Sequence, residues 1–229
     1  MKEVLLIVVA YMIGSIPTSV WVSRFFFGID IREYGSGNAG ATNSFRVMGP
    51  RLGTLVMIVD MLKGFAAVKL AYFLPFYVDD EFYRTGLQIG LGLAAVLGHI
   101  FPLWANFRGG KGVATLFGLV LGISPWTALG CVGIFLFVLY LTRFVSLSSI
   151  LASIAFPIFI LVIFNVDNPA YRVFAIAVAL LVVHPSKEYQ SLITRKREQS
   201  AHFKISGSPK GPSSQYKIDS TVFPSLNIH

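Results

Sequence analysis

The hydrophobic positions of this chain neither alternate nor follow a one-faced helical stripe. They come in continuous blocks, separated by short polar stretches rich in glycine, serine and arginine. About 20 apolar residues cross the hydrocarbon of a bilayer as a helix, so each block predicts a membrane span. Val4–Val22 is the first, with Pro17 inside it and Gly14, Ser15 and Ser19 forming a small-residue face for helix packing. An opening polar loop runs from there to about Gly53. Thr54–Leu74 predicts the second span and carries Asp60, Lys63 and Lys69. Tyr77–Arg84 reads as a short acidic loop, and Gly86–Trp104 as the third span, with His99 near its end. From Val113 to Thr142, thirty residues carry no charge. Gly122–Ile–Ser–Pro125 offers a break there, so a short fourth helix is expected to end at it and a fifth to start at about Trp126. Thr142–Ser149 is a third polar connection, Ile150–Phe164 the sixth span, Asn165–Arg172 a turn and Val173–Val183 a short seventh span. The predicted fold is an all-α integral membrane protein, a bundle of seven transmembrane helices, one of them short or broken.

Composition supports this reading. The 229 residues are 55% hydrophobic and 13% charged, whereas soluble domains are nearer 25% charged. The net charge of +8 invites a nucleic-acid partner, but cytoplasmic loops of membrane proteins also collect Lys and Arg, and no nucleic-acid partner is expected. Placing the loop after the first span in the cytoplasm puts Arg24, Arg32, Arg46, Arg51, Arg108, Lys111, Arg143 and the seven basic residues after His184 on that side. Lys2, Arg84 and Arg172 fall on the other, a bias of fourteen to three. The expected topology is N-terminus outside and C-terminus inside, with all three polar loops facing the cytoplasm. Only Lys2 precedes the first apolar run and no small-residue cleavage site follows it, so the run reads as a retained helix. Residues 1–188 are taken as the membrane domain, and 189–229, basic and rich in Ser, Pro and Gly, as a disordered cytoplasmic tail. The single cysteine, Cys131, excludes a disulfide framework, and no His or carboxylate cluster has metal spacing, so no metal or cofactor is expected.

The polar stretches carry the candidate chemistry. Gly35–Ser–Gly–Asn–Ala–Gly–Ala–Thr–Asn43 places three glycines, Ser36, Asn38, Thr42 and Asn43 between Arg32 and Arg46. Glycines let backbone approach a ligand closely, successive N–H groups can form an anion-binding nest, and flanking arginines supply charge and bidentate geometry for phosphate. Gly35-x-Gly37-x-x-Gly40 matches the dinucleotide fingerprint by letter. That fingerprint needs a preceding strand and a βαβ unit, and a membrane span precedes it here. A second stretch, Arg108–Gly109–Gly110–Lys111–Gly112, resembles a phosphate loop without being a Walker motif, since Ala105 and Gly112 stand where Gly and Ser/Thr belong. Its glycines are expected to expose N–H groups at a helix start, where the dipole is positive and Lys111 adds a full charge; the blander reading is a tight turn with a snorkelling lysine. His99 could take a proton from a hydroxyl nucleophile or could be a packing residue. Asp60 and Lys63, three apart on one helix face, either neutralise each other or mark function.

Taken together these stretches resemble the bacterial acyl-phosphate:glycerol-3-phosphate acyltransferases, the PlsY family. The resemblance rests on Gly-Ser-Gly-Asn-Ala-Gly-Ala-Thr-Asn with Arg46, His99-x-Phe-Pro, Gly-Gly-Lys-Gly-Val-Ala-Thr and Arg143-x-x-Ser-Leu-Ser-Ser, with Asp60-x-x-Lys-Gly and Ile16-Pro17 in support. It covers residues 4–188. It implies a multi-pass protein of the bacterial inner membrane with a cytoplasm-facing site, acyl phosphate and glycerol 3-phosphate as substrates beside membrane lipid, and lysophosphatidic acid and phosphate as products. It implies that Ser36, Asn38, Arg46, His99, Lys111 and the Ser146/Ser148 loop line that site, with Gly109–Gly112 as the glycerol-phosphate cradle. The expected assembly is a monomer. The family's last motif, His-x-x-Asn followed by Arg-Leu-x-x-Gly, is only partly kept: His184–Pro–Ser–Lys187–Glu188 has Lys187 where Asn is expected. A rival reading, a transporter or channel for a phosphate-bearing anion, fits an intramembrane Asp60/Lys63 pair and broken helices. Against it, the polar loops all fall on one side and the chain holds no inverted repeat.

Overall fold

In the computed structural model, residues 1–74 and 80–183 are described, and among them the regular structure is helical throughout. The helices are α1 (Lys2–Gly14), α2 (Thr18–Phe27), α3 (Ala41–Lys69), α4 (Glu81–Ile100), α5 (Val113–Ile123), α6 (Pro125–Thr142), α7 (Val145–Ile158) and α8 (Pro169–Val183). A π-helical turn, Phe159–Ile163, extends α7. The first span is α1 and α2 in series, Lys2–Phe27; that unit, Glu81–Ala105 and Pro125–Thr142 are each long and apolar enough to cross a membrane. The shorter apolar helices α5, α7 with its π turn, and α8, together with the long α3, complete seven spans.

Three boundaries differ from those expected. The first span is not one helix: it breaks at 15–17, because Pro17 has no N–H to continue the ladder, and α2 then runs on to Phe27. The opening loop is not irregular up to Gly53, because helix α3 already begins at Ala41. It kinks at Gly49 (φ 80°, ψ 177°), just before Pro50, which marks a bend inside a helix and not its start. The third polar connection is no loop either. Arg143, in the left-handed region at φ 57°, turns the chain in two residues, and Ser146, Ser148 and Ser149 fall within the first turns of α7.

Small residues set how closely the spans approach. A Cβ on Gly64 of α3 would run into the Thr115 carbonyl of α5, and one on Gly118 into the Met61 carbonyl. Gly14 and Gly98 play the same part between α1 and α4, against the carbonyls of Ala95 and Tyr11. Lipid tails are as apolar as leucine, so such backbone contact, and not water exclusion, holds membrane helices together. The main apolar core gathers Leu116, Leu119 and Val120 of α5 with Phe156, Ile160, Tyr171 and Phe174. Contacts at the helix ends order the bundle. Tyr83 Oη donates to Glu3 and Asn168 Nδ2 to the Glu81 carbonyl, so α1, α4 and α8 start at one end. The loops 28–40 and 101–112 lie at the other.

Candidate active site

The two glycine-rich loops meet. Loop 28–40 opens with Gly28 capping α2 in the left-handed region at φ 67°. Asp30 then accepts from the Arg32 backbone N–H at 3.1 Å and from the Arg32 guanidinium at 2.9 and 2.7 Å. That guanidinium holds the Asp30 carboxyl well below the usual carboxylate range, and Arg32 is itself raised by Asp30. The remaining Arg32 nitrogen reaches across to the second loop, donating to the carbonyls of Ala105 at 2.7 Å and Arg108 at 3.3 Å. Arg32, read from sequence as a charge flanking a phosphate site, is thus occupied in clasping one loop to the other.

Asn43 has a similar internal role. Its side chain is 1% exposed. It accepts from the Ser36 N–H at 2.8 Å and donates to the carbonyls of Ile31 and Tyr34 at 3.2 and 3.0 Å. Gly35 makes this possible: it sits at φ 63°, and a Cβ there would clash with Asn43 Oδ1. Ser19 of α2 donates to the Ala39 carbonyl at 2.6 Å and ties the loop back to the first span. Residues 33–37, Gly35, Ser36 and Gly37 among them, stay exposed on the braced loop, with Thr42 and Arg46 on the first turns of α3; Asn38 and Gly40 are half-buried.

The second loop folds back over the end of α4. Asn106 and Phe107 are both left-handed, at φ 54° and 56°. This reversal lets the N–H groups of Gly109 and Gly110 donate to the carbonyls of Ile100 and His99, at 3.1 and 3.2 Å. They satisfy carbonyls that a helix end leaves orphaned, so these two amides do not point outward as the sequence suggested. The outward part is Arg108 and Lys111, both exposed, and beyond Gly112 the start of α5, where N–H groups lack intrahelical partners and favour an anion. Gly110 is wedged: a Cβ there would clash with His99 Nε2 and stand 3.2 Å from the Ala39 carbonyl oxygen. Gly40 approaches from the other side, where an added Cβ would lie 3.9 Å from Gly110 Cα and from the Lys111 nitrogen.

Beneath this junction lies a buried charged group. His99 Nδ1 is 3.6 Å from Asp60 Oδ1, and Lys63 Nζ is 2.7 Å from the same oxygen. Lys63 also donates to the Ile16 carbonyl at the break in the first span. Asp60, Lys63 and His99 are all buried, and Asp60 Oδ2 has no hydrogen-bond partner. The sequence marks Asp60 and Lys63 as a pair, but nothing in it links them to His99.

The structure therefore brings together Ser36, Asn38, Gly40, Thr42, Asn43 and Arg46 of one loop and helix start with His99, Arg108, Gly109, Gly110, Lys111 and Gly112. Helix α7, whose first turns carry Ser146 and Ser148, packs chiefly on α6 and α8. Ser148 is fully buried and donates to the Phe144 carbonyl at 2.8 Å. The side chain of Ser146, and all of His184, Lys187, Glu188 and residues 189–229, lie outside the described set. Among the described residues no cluster of metal-ligating side chains is present.

Residues 4–195 match a family model described as glycerol-3-phosphate acyltransferase. Among curated proteins, the glycerol-3-phosphate acyltransferase of Chlorobaculum tepidum is 44% identical over 196 residues, 82% of this chain and 83% of its own. That of Chlorobium phaeobacteroides is 42% identical over 197 residues, 83% of this chain and 84% of its own. Among solved structures, PlsY, an integral membrane glycerol 3-phosphate acyltransferase captured in its glycerol 3-phosphate form, superposes with a TM-score of 0.67 at 33% identity. It covers 92% of this chain and 96% of its own. Its lysophosphatidic acid form gives a TM-score of 0.65.

Proposed function

The chain belongs to the glycerol-3-phosphate acyltransferase family, and from that premise we propose that it transfers an acyl group from acyl phosphate to glycerol 3-phosphate at the cytoplasmic face of a bacterial inner membrane. The products are lysophosphatidic acid and phosphate. The observation that carries the reading is the junction at Gly110, where His99 Nε2 meets two loops, one presenting exposed Ser36 and leading into Thr42 and Arg46 of α3, the other presenting exposed Arg108 and Lys111. Both substrates carry phosphate, and Arg46 beside the first loop, with Arg108 and Lys111 on the second, offers a cation to each. Charge-assisted contacts to Arg and Lys are roughly twice as strong as neutral ones.

The transfer is direct. The glycerol-phosphate hydroxyl oxygen attacks the acyl carbonyl carbon, the bond from that carbon to the phosphate oxygen breaks, and phosphate leaves with the electron pair. His99 Nε2, or a phosphate oxygen of a substrate, takes the hydroxyl proton as attack proceeds. Arg46 and the loop carrying Ser36 hold the departing phosphate, while Arg108, Lys111 and the start of α5 hold the acceptor. Ser36 donates a hydrogen bond and is not acylated, because no Gly-x-Ser-x-Gly elbow surrounds it. The donor is a mixed anhydride with a good leaving group, so the protein's contribution is positioning and charge neutralisation.

The test uses purified full chain in detergent with radiolabelled glycerol 3-phosphate. Acyl phosphate should give labelled lysophosphatidic acid and phosphate in equal amounts. Turnover with an acyl thioester and none with acyl phosphate would refute the donor assignment. Uptake of label into proteoliposomes without product would favour the transporter reading.

A further inference from the structure

A charged group inside a membrane protein is costly unless paired, and such groups commonly mark function. Asp60 and Lys63 are two such groups, and His99 meets them at the same carboxylate oxygen. They close a ring of interactions that starts and ends on the first span. Lys63 donates to the Ile16 carbonyl and pairs with Asp60. Asp60 faces His99 Nδ1. The far nitrogen of His99, Nε2, abuts Gly110, which abuts the Ala39 carbonyl. Ala39 accepts from Ser19, three residues beyond Ile16.

We propose that Asp60, steadied by Lys63, is a positioning residue that keeps a proton on His99 Nδ1 and presents a bare Nε2 to the junction of Ala39 and Gly110. The chemistry is that of a carboxylate orienting an imidazole. A ring nitrogen beside a carboxylate carries the proton, and the opposite nitrogen is left to accept one. Lys63 adds a second effect. Its ammonium sits 2.7 Å from Asp60 Oδ1 and His99 Nδ1 sits 3.6 Å from that same atom. Lys63 thereby fixes where the carboxylate stands and keeps the buried pair near neutral, so that Asp60 orients the ring without becoming an uncompensated charge. The kinetic part of this proposal rests on His99 being the proton acceptor proposed above; the part concerning the ring does not.

Two readouts separate those parts. The first is 15N NMR of the full chain in detergent, labelled at histidine, with the His99 signal assigned by comparison with His99→Gln. The proposal expects a neutral ring with its proton on Nδ1 and none on Nε2, and a ring that loses this preference in Asp60→Asn; a resting imidazolium would overturn it. A wild-type ring protonated on Nε2 alone overturns the proposal without reference to any variant. The second is kinetics. Asp60→Asn should lower kcat by about 10-fold or more, since loss of a carboxylate that orients a histidine base can cost up to about 10⁴, with KM for glycerol 3-phosphate little changed. In the His99→Gln background the same substitution should cost less than about twofold, because groups acting as a unit are not additive. Equal losses in both backgrounds would mean a merely structural role and would also overturn the proposal. If the ring changes in Asp60→Asn while kcat does not, positioning stands and it is the role of His99 as proton acceptor that fails.

Discussion

Replacing Gly110 by alanine adds one methyl group at the most crowded point of the site. That methyl would clash with His99 Nε2 and stand 3.2 Å from the Ala39 carbonyl oxygen. Neither neighbour can retreat cheaply. His99 is 7% exposed and backed by Asp60, and Ala39 is held by Ser19 at 2.6 Å. Overpacking of this kind costs about 1–3 kcal/mol in folded stability. The functional cost should be larger than that range suggests, because relief comes only by turning the imidazole or lifting one loop from the other. A displacement of about 1 Å in a positioned group can cost on the order of 100-fold in rate. The expected result is therefore a fall in kcat/KM of about that size with a modest fall in thermal stability. The comparison is Gly90→Ala on α4, the helix that carries His99. Gly90 has open space around it, and alanine there should leave activity unchanged and stabilise the helix by about 0.5–1 kcal/mol. The assay is lysophosphatidic acid formation by detergent-purified variants, beside melting followed by size exclusion. Wild-type turnover in Gly110→Ala would refute the contact between His99 and the loop junction.

Further expectations follow from the same geometry. Arg32→Lys loses the forked contact to Asp30 and the reach to two carbonyls, so the loops should part, raising KM for both substrates and lowering melting temperature; charge-assisted hydrogen bonds are worth about 1.5–3 kcal/mol each. The Asp30 carboxyl is depressed by Arg32, so its contribution is complete above the ordinary carboxylate range and is lost as pH falls below it. Acid melting should therefore show a loss of stability below about pH 4 that Asp30→Asn lacks. Lys111→Ala should mainly raise KM for glycerol 3-phosphate, and a fall in kcat alone would place Lys111 on the transition state instead. Gly64→Ala drives a methyl into the Thr115 carbonyl and should reduce the yield of folded protein, whereas Gly133→Ala, which meets nothing, should not. Single cysteines placed in 28–40 and 105–112 should label only from the cytoplasm, and labelling of either from outside would reverse the proposed orientation.

Much of this was legible from residue order. Apolar runs located the spans because a helix must bury or lipid-face its whole circumference in a bilayer, and the uncharged thirty residues split at Ser124–Pro125, where the structure places the first turn of α6. Glycine spacing located the two loops. What could not be read was how those loops spend their hydrogen bonds. Gly109 and Gly110 cap the end of α4, and Arg32 and Asn43 brace backbone. A polar residue at a site and one supporting it look alike in sequence. Asp60 and His99 are 39 residues apart on different helices, so their meeting is a product of packing alone. The serines after Arg143 misled for another reason. Ser148 returns its hydroxyl to the Phe144 carbonyl four residues back, a bond that lets serine sit in a helix where composition suggests a loop.

The central claim is that both substrates sit together at one junction and the acyl group passes directly between them. Initial velocities measured over a matrix of acyl phosphate and glycerol 3-phosphate concentrations address it most directly. Direct transfer requires a ternary complex and predicts intersecting double-reciprocal lines, with no acyl group on Ser36 by mass spectrometry after exposure to acyl phosphate alone. Parallel lines with a trapped acyl-Ser36 adduct would contradict the account.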